Sequence, residues 1–332
     1  MLPSGGVNGS SRADCTAILF FWRTLKRTTG LGGSTDKRGG RVGRLGEREK
    51  LMIFGQRTQF RLVGVAAAIV LAVACVPSPA YAWGIEGHQA VARLAEQHLV
   101  PTAKAVVNQL LGQTMASIAA WADEVRDTTH PHTYNWHFVN IPSTAERYDP
   151  SRDCQPTPRG DCIVAALERL EQDLGNTSLP AAQRREALMF IIHVVGDLHQ
   201  PLHAISTNQD LGGNRRYLEE IGGATNLHAA WDSGIIRASG HTADDLVNNL
   251  NRATFGVDQS ADAVGTYTEW AMASFTVAKT IVYSQVDGDD RITGAEREFA
   301  MSVIEDQIRL AGIRLAGVLN RVLGGPPSEL GR

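Results

Sequence analysis

His193-Val194-Val195-Gly196-Asp197-Leu198-His199-Gln200-Pro201-Leu202-His203 is the stretch on which the reading of this chain turns. His193 and Asp197 stand four residues apart in a run that reads as helix, so their side chains share one face. Pro201 is expected to end that helix, and His203 returns on the turn behind it. Imidazole and carboxylate together suit zinc. A second pair at the same spacing, His228 and Asp232, follows in Asn226-Leu227-His228-Ala229-Ala230-Trp231-Asp232. One His/Asp pair at helical spacing is more often an ordinary side-chain hydrogen bond. Two of them with a further histidine point to a multinuclear zinc site.

Working outward, the central helix is predicted over 181–199. Val91, Leu94, Ala95 and Leu99 lie on one helical face and predict a helix over 88–99. Pro101 opens the next, 102–111, with Gly112 behind it; a third is predicted over 115–126. The aromatic segment 134–142 reads as extended and is ended by Pro142. Further helices are predicted over 163–174, 227–238, 244–253, 266–285 and 295–323. A short hairpin is predicted over 215–221, between the Gly-Gly turns at 212–213 and 222–223. The pattern is all-α: a single, mostly helical domain over 83–325, with loops carrying the site and a frayed tail at 326–332. The acidic loop 287–298 imitates a calcium hand, but Ile292 stands where the sharp turn needs glycine and Arg291 precedes it. Its expected role is a polar turn whose Thr293 caps the last helix.

Upstream of the domain, Met52 opens a segment with the organisation of a secretory signal, 52–82. Arg57 and Arg61 precede an apolar core over 62–76, and Ala80-Tyr81-Ala82 offers a small-x-small cleavage site. An apolar run of about 15 residues is too short to favour a spanning helix. Residues 1–51 are Arg/Gly-rich and aperiodic, and read as a mis-assigned start or a disordered leader. Cleavage between Ala82 and Trp83 predicts a secreted or periplasmic protein with no membrane attachment. Of 32 Lys+Arg and 35 Asp+Glu, 12 and 4 fall in 1–82, which leaves 20 and 31 and a net charge of −11 on residues 83–332. Such a protein does not grip nucleic acid through a broad basic face. If it handles phosphates, the positive charge is local, and bound metal is the obvious source. Cys154 and Cys162 alone remain after cleavage, and in an oxidising compartment they are expected to close a short loop.

Nine residues are candidate metal ligands: Trp83, His88, Asp123, His137, His193, Asp197, His203, His228 and Asp232. Trp83 ligates through its main chain. Once Ala82 is removed, its α-amine has a reference pKa near 8 and its carbonyl completes a five-membered chelate. Signal removal is then also maturation of the site.

Six ordered motifs carry a family resemblance: WGIEGH at 83–88, WADEVR at 121–126, YNWHF at 134–138, HVVGDLHQPLH at 193–203, GGN at 212–214 and NLHAAWD at 226–232. The chain resembles the zinc-dependent type I nucleases, that is, mung bean nuclease, its fungal relatives and bacterial homologues. The resemblance implies three zinc ions in the cleft of a helical domain. Asp123, His137, His193 and Asp197 would hold the first, Trp83, His88 and a bridging Asp197 the second, and His203, His228 and Asp232 the third. It implies an endonuclease of single-stranded DNA and RNA that acts by zinc-activated hydroxide, leaves 5′-phosphates, and has some 3′-nucleotidase activity. Asp123 would orient or accept a proton from the attacking water, and Arg126 would reach a phosphate oxygen. Asn214 would donate to phosphate or base, and a base would stack on Phe138. Asn140 stands where fungal members place an aspartate in the base-binding region; the amide adds a donor and removes a charge, which leaves base preference open. The processed protein is expected to be a monomer. Two rival readings are a zinc phospholipase C-like phosphodiesterase, which shares the trinuclear helical plan, and a secreted zinc-binding protein without catalysis.

Overall fold

Residues 83–207, 210–286 and 290–325 are described by the structure, a computed structural model, and all of them belong to one compact unit. The expected signal segment 52–82, the expected leader 1–51, the tail 326–332 and residues 287–289 of the acidic loop lie outside the described residues. Trp83, in left-handed conformation, leads into α1 (Gly84–His98), which buries Val91, Leu94 and Ala95 as its apolar spacing predicts. Helix α2 (Pro101–Leu111) begins on its proline and ends on Gly112 in left-handed conformation.

The stretch 115–126, predicted as one helix, is two: α3 (Met115–Ile118) and α4 (Trp121–Val125). At the break, the Ala119 carbonyl accepts from His193 Nδ1 at 2.7 Å. The carbonyl that would have continued the helix serves the central histidine instead. The segment 134–142 also departs from expectation. Pro131–His137 is a 3-10 helix, and the backbone becomes extended only at Phe138, with φ −157° and ψ 168°. Asn135 holds this turn by donating from its backbone N to the Arg159 carbonyl and from its amide to the Gly160 carbonyl, at 2.9 and 3.0 Å. Strand β1 (Ile141–Pro142) follows, then α5 (Pro150–Asp153) and a loop closed by the Cys154–Cys162 disulfide.

Helix α6 (Ile163–Gly175) packs Leu167, Leu170 and Leu174 into the core beside α7 (Ala181–Leu198). Every residue of α7 from Ala187 to Leu198 is buried. That stretch has no polar face to offer water, so any charged side chain it carries must find partners inside the protein. Strand β2 (Ile205–Ser206) pairs in parallel with β1, and β3 (Tyr217–Ile221) pairs antiparallel with β4 (Ala224–Asn226) across the Gly222-Gly223 turn, as predicted. Residues 227–239 are helical throughout, but α8 (Leu227–Ala229) and α9 (Ile235–Ser239) are joined by a π turn, Ala230–Gly234, that contains Asp232. Helix α10 (Ala243–Ala253) precedes α11 (Tyr267–Val277), which runs on through a π turn and a 3-10 turn to Val286. The last helix, α12 (Gly294–Leu323), is opened by a Thr293/Glu296 capping box, which is the capping role predicted for Thr293.

The fold is all-α, with the described strands limited to two short pairs. Two glycines set helix separations that matter for the site. A Cβ on Gly312 of α12 would stand 2.6 Å from Leu94 Cβ, so its absence lets α12 close on α1. A Cβ on Gly196 would stand 2.9 Å from His88 Nδ1, so glycine there admits the His88 ring of α1 against α7. No described helix is long and apolar enough to cross a membrane.

Candidate metal centre

Helix α7 carries His193 and Asp197 into the interior, where each has no exposed surface. Around them gather His88 from α1, Asp123 from α4 and His137 from the end of the 3-10 turn, all buried. His137 Nδ1 donates to Asp197 Oδ2 at 2.8 Å, and His193 Nε2 lies 3.2 Å from the same oxygen. His88 Nε2 stands 3.3 Å from Asp197 Oδ1, and the His88 and His193 rings stack with centroids 3.9 Å apart. Metal-competent triads form here from His88, Asp123 and His193 and from His137, His193 and Asp197; a third, separate one is His203, His228 and Asp232. In each triad the donor atoms lie within 4.8 Å of one another. The expected pairing of His88 with Asp197 and the observed triad with Asp123 overlap, because both carboxylates border one space.

Trp83 lies beside this larger patch. Its indole donates to the Gly196 carbonyl at 2.7 Å, and its own carbonyl accepts from Gly87 N at 3.2 Å. The smaller patch holds stacked His203 and His228 rings, centroids 4.9 Å apart, with His228 Nε2 3.4 Å from Asp232 Oδ2.

The donor set fits metal ions on three grounds. First, His193, His203 and His228 each donate through Nδ1 to a main-chain carbonyl, of Ala119, His137 and Gly212, all at 2.7 Å. That bond keeps the proton on Nδ1 and turns Nε2, the atom that would ligate, toward the carboxylates. Second, His88 Nε2, Asp197 Oδ1, His203 Nε2 and Asp232 Oδ2 face the patches and are buried with no hydrogen-bond partner. Buried polar atoms are costly when unpaired, and an ion would satisfy them. Third, the carboxylates demand positive charge. Burial by itself lowers the pKa of His193, yet Asp197 and Asp123 outweigh it and hold it up at about 10. Asp123, which burial would raise, is drawn down to about 2 by His193 and His137.

Above the patches opens a cleft of about 570 Å³, lined by Arg126, Tyr134, His137, Phe138, Asn140, Leu202, His203, Leu211, Asn214 and His228. All three expected substrate-binding residues, Phe138, Asn140 and Asn214, face it. Arg126 also forms the salt bridge that its helical spacing allowed, with Nη1 2.8 Å from Asp123 Oδ1. Asn214 donates its amide to the Leu211 carbonyl at 2.9 Å, within its own turn. Cys154 and Cys162 are bonded at 1.97 Å.

Three residues of the site carry no sequence signal of their own. Gln200 is fully buried; its amide donates to Asp232 Oδ1 and its carbonyl oxygen accepts from Leu202 N at 2.5 Å. Tyr134 meets Phe138 edge to face at 6.0 Å. Leu211, half exposed and with φ 58°, lines the cleft from the opposite loop. His199 is a buried support: it accepts from Arg314 Nη1 at 2.9 Å, and burial and that guanidinium push its pKa down to about 3.

Fold and site together define a class, an all-α protein with a His/Asp metal-binding cleft. The family model S1/P1 Nuclease matches residues 83–324, and the chain belongs to that family. It is 29% identical to Nuclease P1 of Penicillium citrinum over 73% of this chain and 98% of that protein. It is also 29% identical to Nuclease S1 of Aspergillus oryzae, over 80% of this chain and 99% of the relative. Endonuclease 4 of Arabidopsis thaliana is 27% identical over 80% of this chain and 97% of its own length. The protein is a nuclease.

Proposed function

We propose that this nuclease is a zinc-dependent endonuclease of single-stranded DNA and RNA that leaves 5′-phosphate and 3′-hydroxyl ends, with 3′-nucleotidase activity on mononucleotides. The observation that carries the reading is the set of buried, unpartnered imidazole and carboxylate atoms on the floor of a cleft whose wall offers both a guanidinium and an aromatic ring.

Asp123, His137, His193 and Asp197 would hold one zinc, the Trp83 main chain with His88 and Asp197 a second, and His203, His228 and Asp232 a third. When bound, such ions supply Lewis acidity that activates water and neutralises charge on the phosphate. The chain's own residues do the rest. Arg126 directs a planar guanidinium at a non-bridging phosphate oxygen, and its bridge to Asp123 keeps it aimed. Phe138 stacks a base and Asn140 and Asn214 offer amides to base or phosphate. Water adds to phosphorus as the bond to the 3′-oxygen breaks. Asp123 orients the attacking water or accepts its proton, and the departing 3′-oxygen takes up a proton from solvent, so that one water is consumed for each bond cut. A base paired in a duplex is not free to enter the stacking slot, which accounts for single-strand preference.

The same reading makes 52–82 a removed export signal, 1–51 a leader upstream of it and 83–325 the nuclease domain of a secreted or periplasmic protein. The disulfide favours an oxidising compartment. Metal analysis and N-terminal sequencing of exported protein, with cleavage assays on single-stranded DNA, RNA, duplex and phosphatidylcholine, test it. Three zinc ions, a Trp83 terminus and single-strand cleavage are expected. Lipid turnover without nucleic-acid cleavage would overturn it in favour of a phospholipase C-like enzyme.

A further inference from the structure

The disulfide loop does more than close on itself. Its residue Arg159 lays the guanidinium carbon 3.4 Å from the centroid of the Tyr134 ring. The backbone that carries it is fastened at several points. Asn135 N donates to the Arg159 carbonyl at 2.9 Å, Thr157 and Gly160 exchange backbone hydrogen bonds, and the Asn135 amide donates to Thr157 Oγ1 and to the Gly160 carbonyl, each at 3.0 Å. Gly160, at φ +100°, lies so close to the 3-10 turn that a Cβ would stand 2.7 Å from the His132 carbonyl oxygen. The loop is therefore built onto the turn that presents Tyr134 and Phe138 to the cleft.

Tyr134 is shared. The guanidinium carbon of Arg126, at the catalytic cleft, lies 5.5 Å from the same ring centroid, and Phe138 meets the ring edge on. Two guanidinium groups thus share one aromatic ring, and both also reach the Asp127 carboxylate, each at 3.6 Å. A guanidinium stacked on a ring is held flat with its N–H edges outward, the geometry that meets a phosphate. The ion pair recorded for Arg159 is with Asp127 at 3.6 Å, both side chains more than half exposed. Such surface pairs are weak and yield readily to a more highly charged partner. With a net charge of −11 on residues 83–332, local cation sites of this kind are where a strand can be gripped outside the metal cleft.

We propose that Arg159, stacked on Tyr134, is a second phosphate-binding position, which takes the phosphodiester next to the one being cut and extends the cleft along a single strand. The proposal rests on the nuclease reading above, but not on which metal serves it. It makes the Cys154–Cys162 loop a substrate-binding element.

The test compares a dinucleotide, which has no neighbouring phosphodiester, with a 12-nucleotide single strand, on the zinc-loaded protein and its Arg159→Ala, Arg159→Lys and Tyr134→Leu variants. Arg159→Ala is expected to raise KM for the long strand about five- to tenfold, to leave the dinucleotide unchanged, and to reduce the salt slope of long-strand binding by about 0.7, the contribution of one phosphate contact in a single strand. Arg159→Lys should recover part of the loss, and Tyr134→Leu, which removes the surface under the guanidinium and also alters the cleft wall, should raise the long-strand KM by at least as much as Arg159→Ala. Equal effects of Arg159→Ala on both substrates, or none on either, overturn the proposal. If Arg159→Ala fails to fold, Arg159→Gln carries the same comparison. If the unmodified protein cuts neither substrate, the broader nuclease proposal fails instead.

Discussion

Gln200 and Asp232 are joined by a buried amide–carboxylate hydrogen bond that ties the end of α7 to the π turn after α8. The same amide accepts from Leu202 N, which starts the turn carrying His203. One side chain thereby sets the spacing of two members of the smaller patch. Partners of this kind typically contribute 10- to 100-fold in metal affinity or activity. Gln200→Glu keeps the acceptor for Leu202 N but sets a carboxylate against Asp232. It is expected to lower kcat about 10- to 100-fold and to lose one of the three proposed ions, measured by elemental analysis on folded protein. Full metal content with unchanged kcat would show the bond to be incidental.

Asp197 borders every histidine of the larger patch, with His137, His193 and His88 all within 3.3 Å of its oxygens. Asp197→Asn preserves shape and removes the charge. Loss of activity on every substrate is expected, together with reduced metal content. Retention of either above a tenth of the wild-type level would contradict the assigned role.

Phe138→Ala should act on binding rather than on chemistry. Stacking of a base on an aromatic ring is worth about 1–3 kcal/mol, so KM should rise roughly 5- to 150-fold with metal content unchanged. An oligonucleotide abasic at the stacked position should be affected little. If the abasic and intact strands respond alike, Phe138 is a packing residue.

Removal of metal should destabilise the fold, because ligands left unpaired on α1, α4 and α7 lose the group that satisfies them. A chelator is expected to lower Tm, and zinc but not calcium should restore it, since the imidazole-rich donor set is ill suited to a hard cation. Differential scanning fluorimetry reads the outcome; identical curves with and without chelator would refute it.

Reduction of the disulfide, or Cys154→Ser with Cys162→Ser, should cost about 2–3 kcal/mol for a loop of this length. It should also release Arg159 from Tyr134. Thermal unfolding with and without reductant measures the first effect, and long-strand KM the second.

Much of this was legible from residue spacing. His193 and Asp197 on one helix, His228 and Asp232 on the next pair of turns, and the Thr293 cap all follow from helical periodicity and capping chemistry. The break at Ala119 and the 3-10 turn at Pro131–His137 were not legible, because each is decided by a partner distant in sequence: His193 in one case, the Arg159–Gly160 backbone in the other. Gln200 escaped for the same reason, since a single glutamine has no period.

What the sequence by itself determined is the inventory of the site: which imidazoles and carboxylates exist, which pairs share a helix face, and that the protein is all-α. Only the tertiary structure decided which of them meet. Gly196 admits His88 to α7, α4 turns Asp123 inward, and a loop far along the chain lays Arg159 on Tyr134. Periodicity acts over a few residues, whereas a metal patch is made by the packing of helices separated by a hundred, and that packing is set by where side chains leave room.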